Sequence, residues 1–157
     1  RQVRVGRDGK DFRLFKFRSM ASGADKKGLI TVGAKDSRVT RVGYFLRKYK
    51  LDELPQLLNV VRGEMSLVGP RPEVRKYVDM YTVEQHKVLA VVPGITDYAS
   101  IEYADENTIL GQASDPDRAY VEQIMPDKIR YNMKYINNRC LKEYFKIIFL
   151  TLMKIVK

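Results

Sequence analysis

Leu51-Asp52-Glu53-Leu54-Pro55-Gln56-Leu57-Leu58-Asn59-Val60-Val61 places two adjacent carboxylates at the mouth of an apolar helical run. Leu54, Leu57, Leu58 and Val61 fall at i, i+3, i+4 and i+7, one helical stripe, and Pro55 is tolerated only in a first turn, where its missing N–H costs nothing. The spacing predicts a helix that Asp52 and Glu53 cap or open. Arg41, Arg47, Lys48 and Lys50 lie upstream, and downstream Gly63-Glu64-Met65-Ser66-Leu67-Val68-Gly69-Pro70-Arg71-Pro72 brackets Arg71 between prolines. Carboxylates set among fixed cations suit phosphoryl chemistry, in which the substrate is a multiply charged anion and catalysis is mainly positioning and charge neutralisation. The plainer reading stays open: an acidic pair at a helix start also bonds free N–H groups and meets the helix dipole.

Working outward, residues 2–6 and 11–18 alternate apolar and polar on either side of Arg7-Asp8-Gly9-Lys10, whose Asp-Gly step predicts a β-hairpin turn. In the second strand Lys16 and Arg18, two residues apart, point the same way. They are either a solvated strand face or a pair of phosphate contacts. Residues 21–35 have weak periodicity and read as a mobile loop over the site. Residues 38–49 carry Val42, Phe45, Leu46 and Tyr49 at helical spacing, so a short basic helix delivers Arg47, and then the chain, to Asp52.

Pro70 fixes its own φ and Pro72 disfavours the α region for Arg71, so the arginine backbone is extended and its side chain loses less entropy on being aimed. Such an arginine is either a rigid surface turn or a phosphate fork. Residues 73–91 read as a scaffold helix that Pro93-Gly94-Ile95-Thr96 breaks, Ser114-Asp115-Pro116 as a cap and helix start, and residues 128–136 as a further helix. The tail, residues 141–157, is apolar over most of its circumference with lysines at intervals. It either packs on the core or lies in a membrane interface.

With 157 residues and 45% hydrophobic content, residues 1–157 are expected to form one α+β domain: an N-terminal β-hairpin, a mainly helical body and a C-terminal amphipathic helix. The net charge of +10 implies an anionic partner: nucleic acid, an acidic membrane surface or a phosphorylated substrate. One cysteine, Cys140, excludes an internal disulfide, and with the single His86 it leaves no zinc cluster and argues against a Ser-His-Asp triad. No apolar run reaches the roughly 18 residues needed to span a bilayer. The charged start lacks a signal peptide, and Arg1 in place of methionine suggests a chain cut from something longer.

Residues 47–57, 63–72 and 93–96, with Lys16-Phe17-Arg18-Ser19-Met20, closely resemble the bacterial sugar transferase family, the monotopic phosphoglycosyl transferases. The resemblance implies transfer of a sugar phosphate from a uridine diphosphate sugar to polyprenyl phosphate, which initiates bacterial polysaccharide or glycoconjugate synthesis. It implies Asp52 as the nucleophile on the sugar-bearing phosphorus, Mg²⁺ held by Asp52 and Glu53, and phosphate contacts from Arg47, Arg71, Lys16 and Arg18. It also implies a protein at the cytoplasmic face of the inner membrane through an N-terminal re-entrant helix absent from this chain, with an anionic membrane surface as partner. An oligomer is left open. Two departures stand out. Asp97-Tyr98-Ala99-Ser100 replaces the family's frequent Gly-Trp-Ala-Gln, which bears on nucleotide or sugar identity, and Asn132 stands where an acid is expected. The rival reading is a basic nucleic-acid-binding domain without catalysis, since a pI near 9.7 is its electrostatic footprint. No nucleic-acid-binding motif supports it, so no nucleic-acid partner is expected. A third is a catalytically idle membrane-surface adaptor in which Asp52 is dispensable.

Overall fold

The computed structural model describes residues 2–24, 28, 31–32 and 36–156. The loop expected over residues 21–35 falls largely outside them. Strands β1 (Gln2–Val5) and β2 (Asp11–Leu14) form the expected antiparallel hairpin, with Gln2 opposite Leu14 and Val5 opposite Asp11. Its turn is made by Asp8 and Gly9, both at positive φ, 57° and 73°, the conformation that an Asp-Gly step supplies most easily.

The second strand is shorter than its alternation predicts, because beyond Leu14 the backbone donors leave the ladder. Phe15 N–H donates to Asn59 Oδ1 at 3.0 Å and Phe17 N–H to the Asp52 carbonyl at 3.0 Å. Lys16 is thereby carried across the acidic turn rather than along a sheet.

Helix α1 (Arg41–Lys48) starts at Thr40, whose hydroxyl accepts from Gly43 N–H at 2.9 Å. Gly43 touches the preceding segment so closely that a Cβ there would lie 1.8 Å from the Ser19 carbonyl oxygen. A 3₁₀ turn over Leu51–Glu53 precedes α2 (Gln56–Val61), and Pro55 is the residue before the helix rather than inside it. Asp52 and Glu53 do not cap α2, which has no side-chain cap; both are buried in the preceding turn. The apolar stripe of α2 also faces the opposite way from a helix packed on a core. Leu54, Leu57, Leu58 and Val61 are exposed, and the buried positions are the polar Gln56 and Asn59.

Strand β3 (Ser66–Val68) pairs in parallel with β4 (Gly94–Thr96), in the register Ser66 opposite Gly94 and Val68 opposite Thr96. The Pro93-Gly94-Ile95-Thr96 breaker is therefore largely a strand. The scaffold helix expected over 73–91 is divided into α3 (Arg75–Val78), α4 (Val83–His86) and a 3₁₀ turn over Lys87–Ala90. Thr82 causes the break through a capping box: its hydroxyl accepts from Gln85 N–H, and the Gln85 side chain accepts from Thr82 N–H at 2.9 Å.

Helices α5 (Tyr98–Glu102), α6 (Glu106–Gln112) and α7 (Pro116–Ala119) follow, the last opened by Asp115 and Pro116 as expected. A π-helical turn over Tyr120–Ile124 leads into α8 (Met125–Asn137), and α9 (Leu141–Val156) closes the chain. Tyr77, Val88, Leu110, Tyr120, Ile124, Met125 and Ile129 make the larger core cluster; Val68, Tyr135 and Ile147 make the smaller. Helix α9 docks one face on the parallel strand pair, with Ile147 fully buried and Thr151 Oγ1 2.7 Å from Thr96 Oγ1. Its other face leaves Leu141, Phe145, Phe149, Leu152 and Met153 exposed. Among the described residues no helix is long and apolar enough to cross a membrane.

Candidate active site

Lys50, at φ 55°, turns the chain left-handed just before the acidic pair and sends both carboxylates inward. Asp52 is 1% exposed and Glu53 8%. Their environments differ sharply. Glu53 is saturated: Arg71 Nη2 donates to Oε1 at 2.7 Å and Nη1 to Oε2 at 2.8 Å, while Lys16 Nζ stands 3.4 Å from Oε1. Asp52 has an ion pair but no hydrogen bond. Lys16 Nζ lies 3.0 Å from Oδ2, yet not in line to donate, so both Asp52 oxygens are buried without a hydrogen-bond partner among the described residues. A buried carboxylate is ordinarily hydrogen-bonded, since its desolvation is otherwise uncompensated. Asp52 is thus held bare and next to a cation.

The fork expected of Arg71 exists, but it is closed on Glu53. It is braced from two further sides: Nη1 donates to the Ile95 carbonyl at 2.9 Å, and Arg71 N–H to Asp97 Oδ2 at 3.1 Å. Asp97 itself caps α5, its Oδ1 accepting from Ser100 N–H at 2.6 Å. Burial alone would push the Glu53 carboxyl up, but the charge and hydrogen bonds of Arg71, with Lys16 and Lys50 nearby, outweigh it and hold it well below the usual carboxylate range. Glu53 in return raises Arg71.

This has a consequence for acid stability. Glu53 has a folded pKa below its ordinary 4.5, so its contribution is fully present above pH 4.5 and is lost as pH falls below it. Glu53→Gln should therefore lose stability at neutral pH and show a flatter decline in urea midpoint below pH 4.5. An unchanged acid slope in that variant would assign the acid lability to other groups.

The other expected phosphate contacts divide. Arg47 lines the same space as Lys16 and Glu53, with its Nη2 donating to Thr31 Oγ1 at 3.0 Å. Arg18 does not join them; it is exposed, and its Nη1 reaches Ser22 Oγ at 3.4 Å, because the strand that would have aligned it with Lys16 ends at Leu14.

Two cavities meet at Glu53 and Arg71, which line both, as do Lys16 and Ser100. One, of about 1350 Å³, is lined by Lys16, Asp52, Glu53 and Arg71 and also by Tyr44, Leu57 and Leu152 from α1, α2 and α9. The other, of about 320 Å³, runs from Glu53 and Arg71 to Ser100, Lys128 and Asn132.

For a magnesium ion the donor set fits in part. Mg²⁺ takes one or two protein carboxylates and completes its shell with water and substrate phosphate. The orphaned Asp52 oxygens suit that demand, whereas both Glu53 oxygens are already engaged by Arg71. Among the described residues no three acidic, histidine or cysteine side chains gather into a metal cluster.

Asn59 carried no role as sequence, and Asp97 and Ser100 were marked only as part of the departure Asp97-Tyr98-Ala99-Ser100. Asp97 had a legible signal, an Asx residue three before Ser100 at a helix start. Asn59 had none, since a polar residue opposite an apolar stripe reads as solvated. It is instead fully buried, accepting from Phe15 N–H and donating to the Arg13 carbonyl at 2.9 Å and to Glu64 Oε2 at 2.7 Å. That clamp fastens α2 to the segment bearing Lys16.

The chain is 39% identical over 158 residues to the UDP-N-acetylgalactosamine-undecaprenyl-phosphate N-acetylgalactosaminephosphotransferase of Aeromonas hydrophila, covering 99% of this chain and 34% of that protein. It is 37% identical over 161 residues to the UDP-glucose:undecaprenyl-phosphate glucose-1-phosphate transferase of Escherichia coli (strain K12), covering 98% of this chain and 32% of the relative. With an uncharacterized sugar transferase of Bacillus subtilis (strain 168) it shares 48% identity over 101 residues, 64% of this chain and 49% of the relative. The chain spans about a third to a half of the length of these relatives. The profile described as Bacterial sugar transferase matches residues 1–157, and the chain belongs to the bacterial sugar transferase family.

Proposed function

We propose that this chain carries the catalytic site for transfer of a sugar phosphate from a uridine diphosphate sugar to polyprenyl phosphate. The observation that carries the reading is Asp52, a buried carboxylate with no hydrogen-bond partner among the described residues, beside Lys16 and the Glu53–Arg71 pair. An oxygen with no hydrogen bond to surrender is a better nucleophile than a solvated one. In the first step an Asp52 oxygen attacks the phosphorus that bears the sugar, the phosphoanhydride P–O bond breaks, and uridine monophosphate leaves. In the second a phosphate oxygen of the acceptor attacks the same phosphorus, the aspartyl bond breaks, and Asp52 is regenerated.

Lys16 and Lys50 offset the repulsion between carboxylate and substrate phosphates. Arg71 holds Glu53 in place, and its side chain is partly exposed, with one Nη2 proton and the Nε proton beyond those given to Glu53 and Ile95 for a phosphate oxygen. Mg²⁺, held by Asp52 with Glu53 adjacent, would supply further neutralisation of phosphate charge.

The larger cavity suits an acceptor with a charged head and a hydrocarbon tail. Its charged lining includes Asp52 and Arg71, and the apolar side chains of α1, α2 and α9 share it. The exposed Phe45, Leu57, Leu58, Phe149 and Leu152 give the same elements an outward apolar surface. Lys142, Lys146 and Lys154 lie exposed on α9. Such a surface suits insertion at a bilayer interface, where each lysine near an anionic leaflet contributes about 1 kcal/mol, screened by salt.

The test is uridine monophosphate release from uridine diphosphate sugars in the presence of Mg²⁺ and undecaprenyl phosphate in anionic vesicles. The chain should also co-sediment with anionic vesicles at low ionic strength and far less with neutral ones, and Phe149→Glu should weaken that association. Tight binding to double-stranded DNA at physiological salt, with vesicles ignored and no nucleotide released, would replace this reading with a nucleic-acid one.

A further inference from the structure

The 320 Å³ cavity contains polar groups that neither the phosphates nor the nucleophile uses. Asn132, on α8, is 6% exposed, and its Oδ1 has no hydrogen-bond partner among the described residues. Ser100, on α5, likewise presents a buried Oγ without one. Both line this cavity, and α5 packs directly on α8. A buried carbonyl oxygen left bare is costly, and α8 gains nothing from it as a helix. Asn132 Oδ1 can only accept, so it needs an N–H or O–H donor; Ser100 Oγ can do either.

The position of Ser100 indicates which part of a substrate would supply those groups. The Asp97 carboxylate holds Arg71 N–H with one oxygen and Ser100 N–H with the other, so a single side chain fixes Ser100 relative to the phosphate-handling arginine. Whatever reaches Ser100 is attached close to the phosphorus at Arg71 and Asp52. In a nucleotide sugar whose sugar-bearing phosphorus meets Asp52, the groups attached there are the sugar and the second phosphate, and of these only the sugar carries the O–H or N–H donor that Asn132 Oδ1 needs. The cavity, at the lower end of the 300–1,000 Å³ typical of ligand pockets, is lined by polar side chains including Lys128 and Asn107.

Resting on the donor reading above, we infer that Asn132 Oδ1 and Ser100 Oγ form the subsite that recognises the transferred sugar through its hydroxyl or amide N–H groups. Asn132 and Ser100 thereby determine donor specificity, independently of the nucleotide.

Calorimetric titration separates the possibilities. The chain would be titrated with uridine diphosphate and with its glucose, galactose, N-acetylglucosamine and N-acetylgalactosamine conjugates. Asn132→Leu keeps the side-chain shape without the polar group, and Ser100→Ala removes only the hydroxyl. For the preferred sugar, the affinity gained over uridine diphosphate should shrink about tenfold in Asn132→Leu, the equivalent of one hydrogen bond. It should shrink less in Ser100→Ala, with uridine diphosphate itself unchanged in both. The ligand-free melting temperature of Asn132→Leu should hold or rise, because Oδ1 has no bond to lose. Equal loss for uridine diphosphate would place the nucleotide, not the sugar, against Asn132 and overturn the inference. An unchanged sugar increment with a lowered melting temperature would make Asn132 a structural residue. If the unaltered chain binds uridine diphosphate but gains nothing from any sugar, this subsite fails alone; if it binds none of the five, the donor reading fails with it.

Discussion

Asp52→Asn should abolish sugar-phosphate transfer, lowering the rate by at least about 10³-fold, while leaving the chain folded. The amide cannot attack phosphorus, and losing a nucleophile removes the covalent route altogether. Stability should change little. Asp52 makes no hydrogen bond that the amide would forfeit, and Lys16 keeps Glu53 as a partner at 3.4 Å. The decisive measurement is peptide mass spectrometry after incubation with a uridine diphosphate sugar and Mg²⁺, without acceptor. The unaltered chain should carry a phosphosugar on the peptide containing Asp52, and the variant none. An adduct elsewhere, or full turnover in Asp52→Asn, would remove Asp52 from the mechanism and favour the idle-adaptor reading.

Arg71 should show the second large effect, divided between charge and geometry. Arg71→Ala leaves Glu53 buried with no guanidinium to bond, and removing one partner of a buried pair costs about 3–5 kcal/mol. The nearby Lys16 and Lys50 place this case at the lower end. Arg71→Lys restores the charge and most of that stability but cannot span both Glu53 oxygens while also donating to the Ile95 carbonyl. Its transfer rate should fall by more than about tenfold, because losing a charge-assisted contact of about 1.5–3 kcal/mol leaves Glu53 free to turn. Urea unfolding and nucleotide release, measured on both variants, separate the two contributions. Equal activity of Arg71→Lys and the unaltered chain would reduce Arg71 to a charge.

The two departures from the family's motifs noted in the sequence, the stretch ending at Ser100 and Asn132, line one cavity across α5 and α8. As sequence, the first bore on nucleotide or sugar identity without saying which residue acts, and the second carried no role. The carbonyl of Asn132 looks like any helical asparagine until the fold shows it buried with no hydrogen-bond partner among the described residues.

Local signals were read where the physics is local. The Asp8-Gly9 turn, the Asp115 helix start, the short helix within 38–49 and the amphipathic α9 follow from turn geometry, capping and periodicity over a few residues. The family motifs added the candidate chemistry, because their order along the chain is itself a sequence property. Tertiary structure decided the rest. Apolar periodicity states that α2 has a stripe, not which way it faces, and here Asn59 binds three groups from other segments and turns Leu57 and Leu58 outward. The prolines around Arg71 promised an aimed guanidinium. Only the fold supplied its target, since Glu53 on one side and Ile95 with Asp97 on the other approach it from two separate stretches. The end of β2 at Leu14 separated Arg18 from Lys16, because backbone donors there found partners more than 30 residues away, at Asp52 and Asn59. Contacts of that span carry no periodic trace in a single chain.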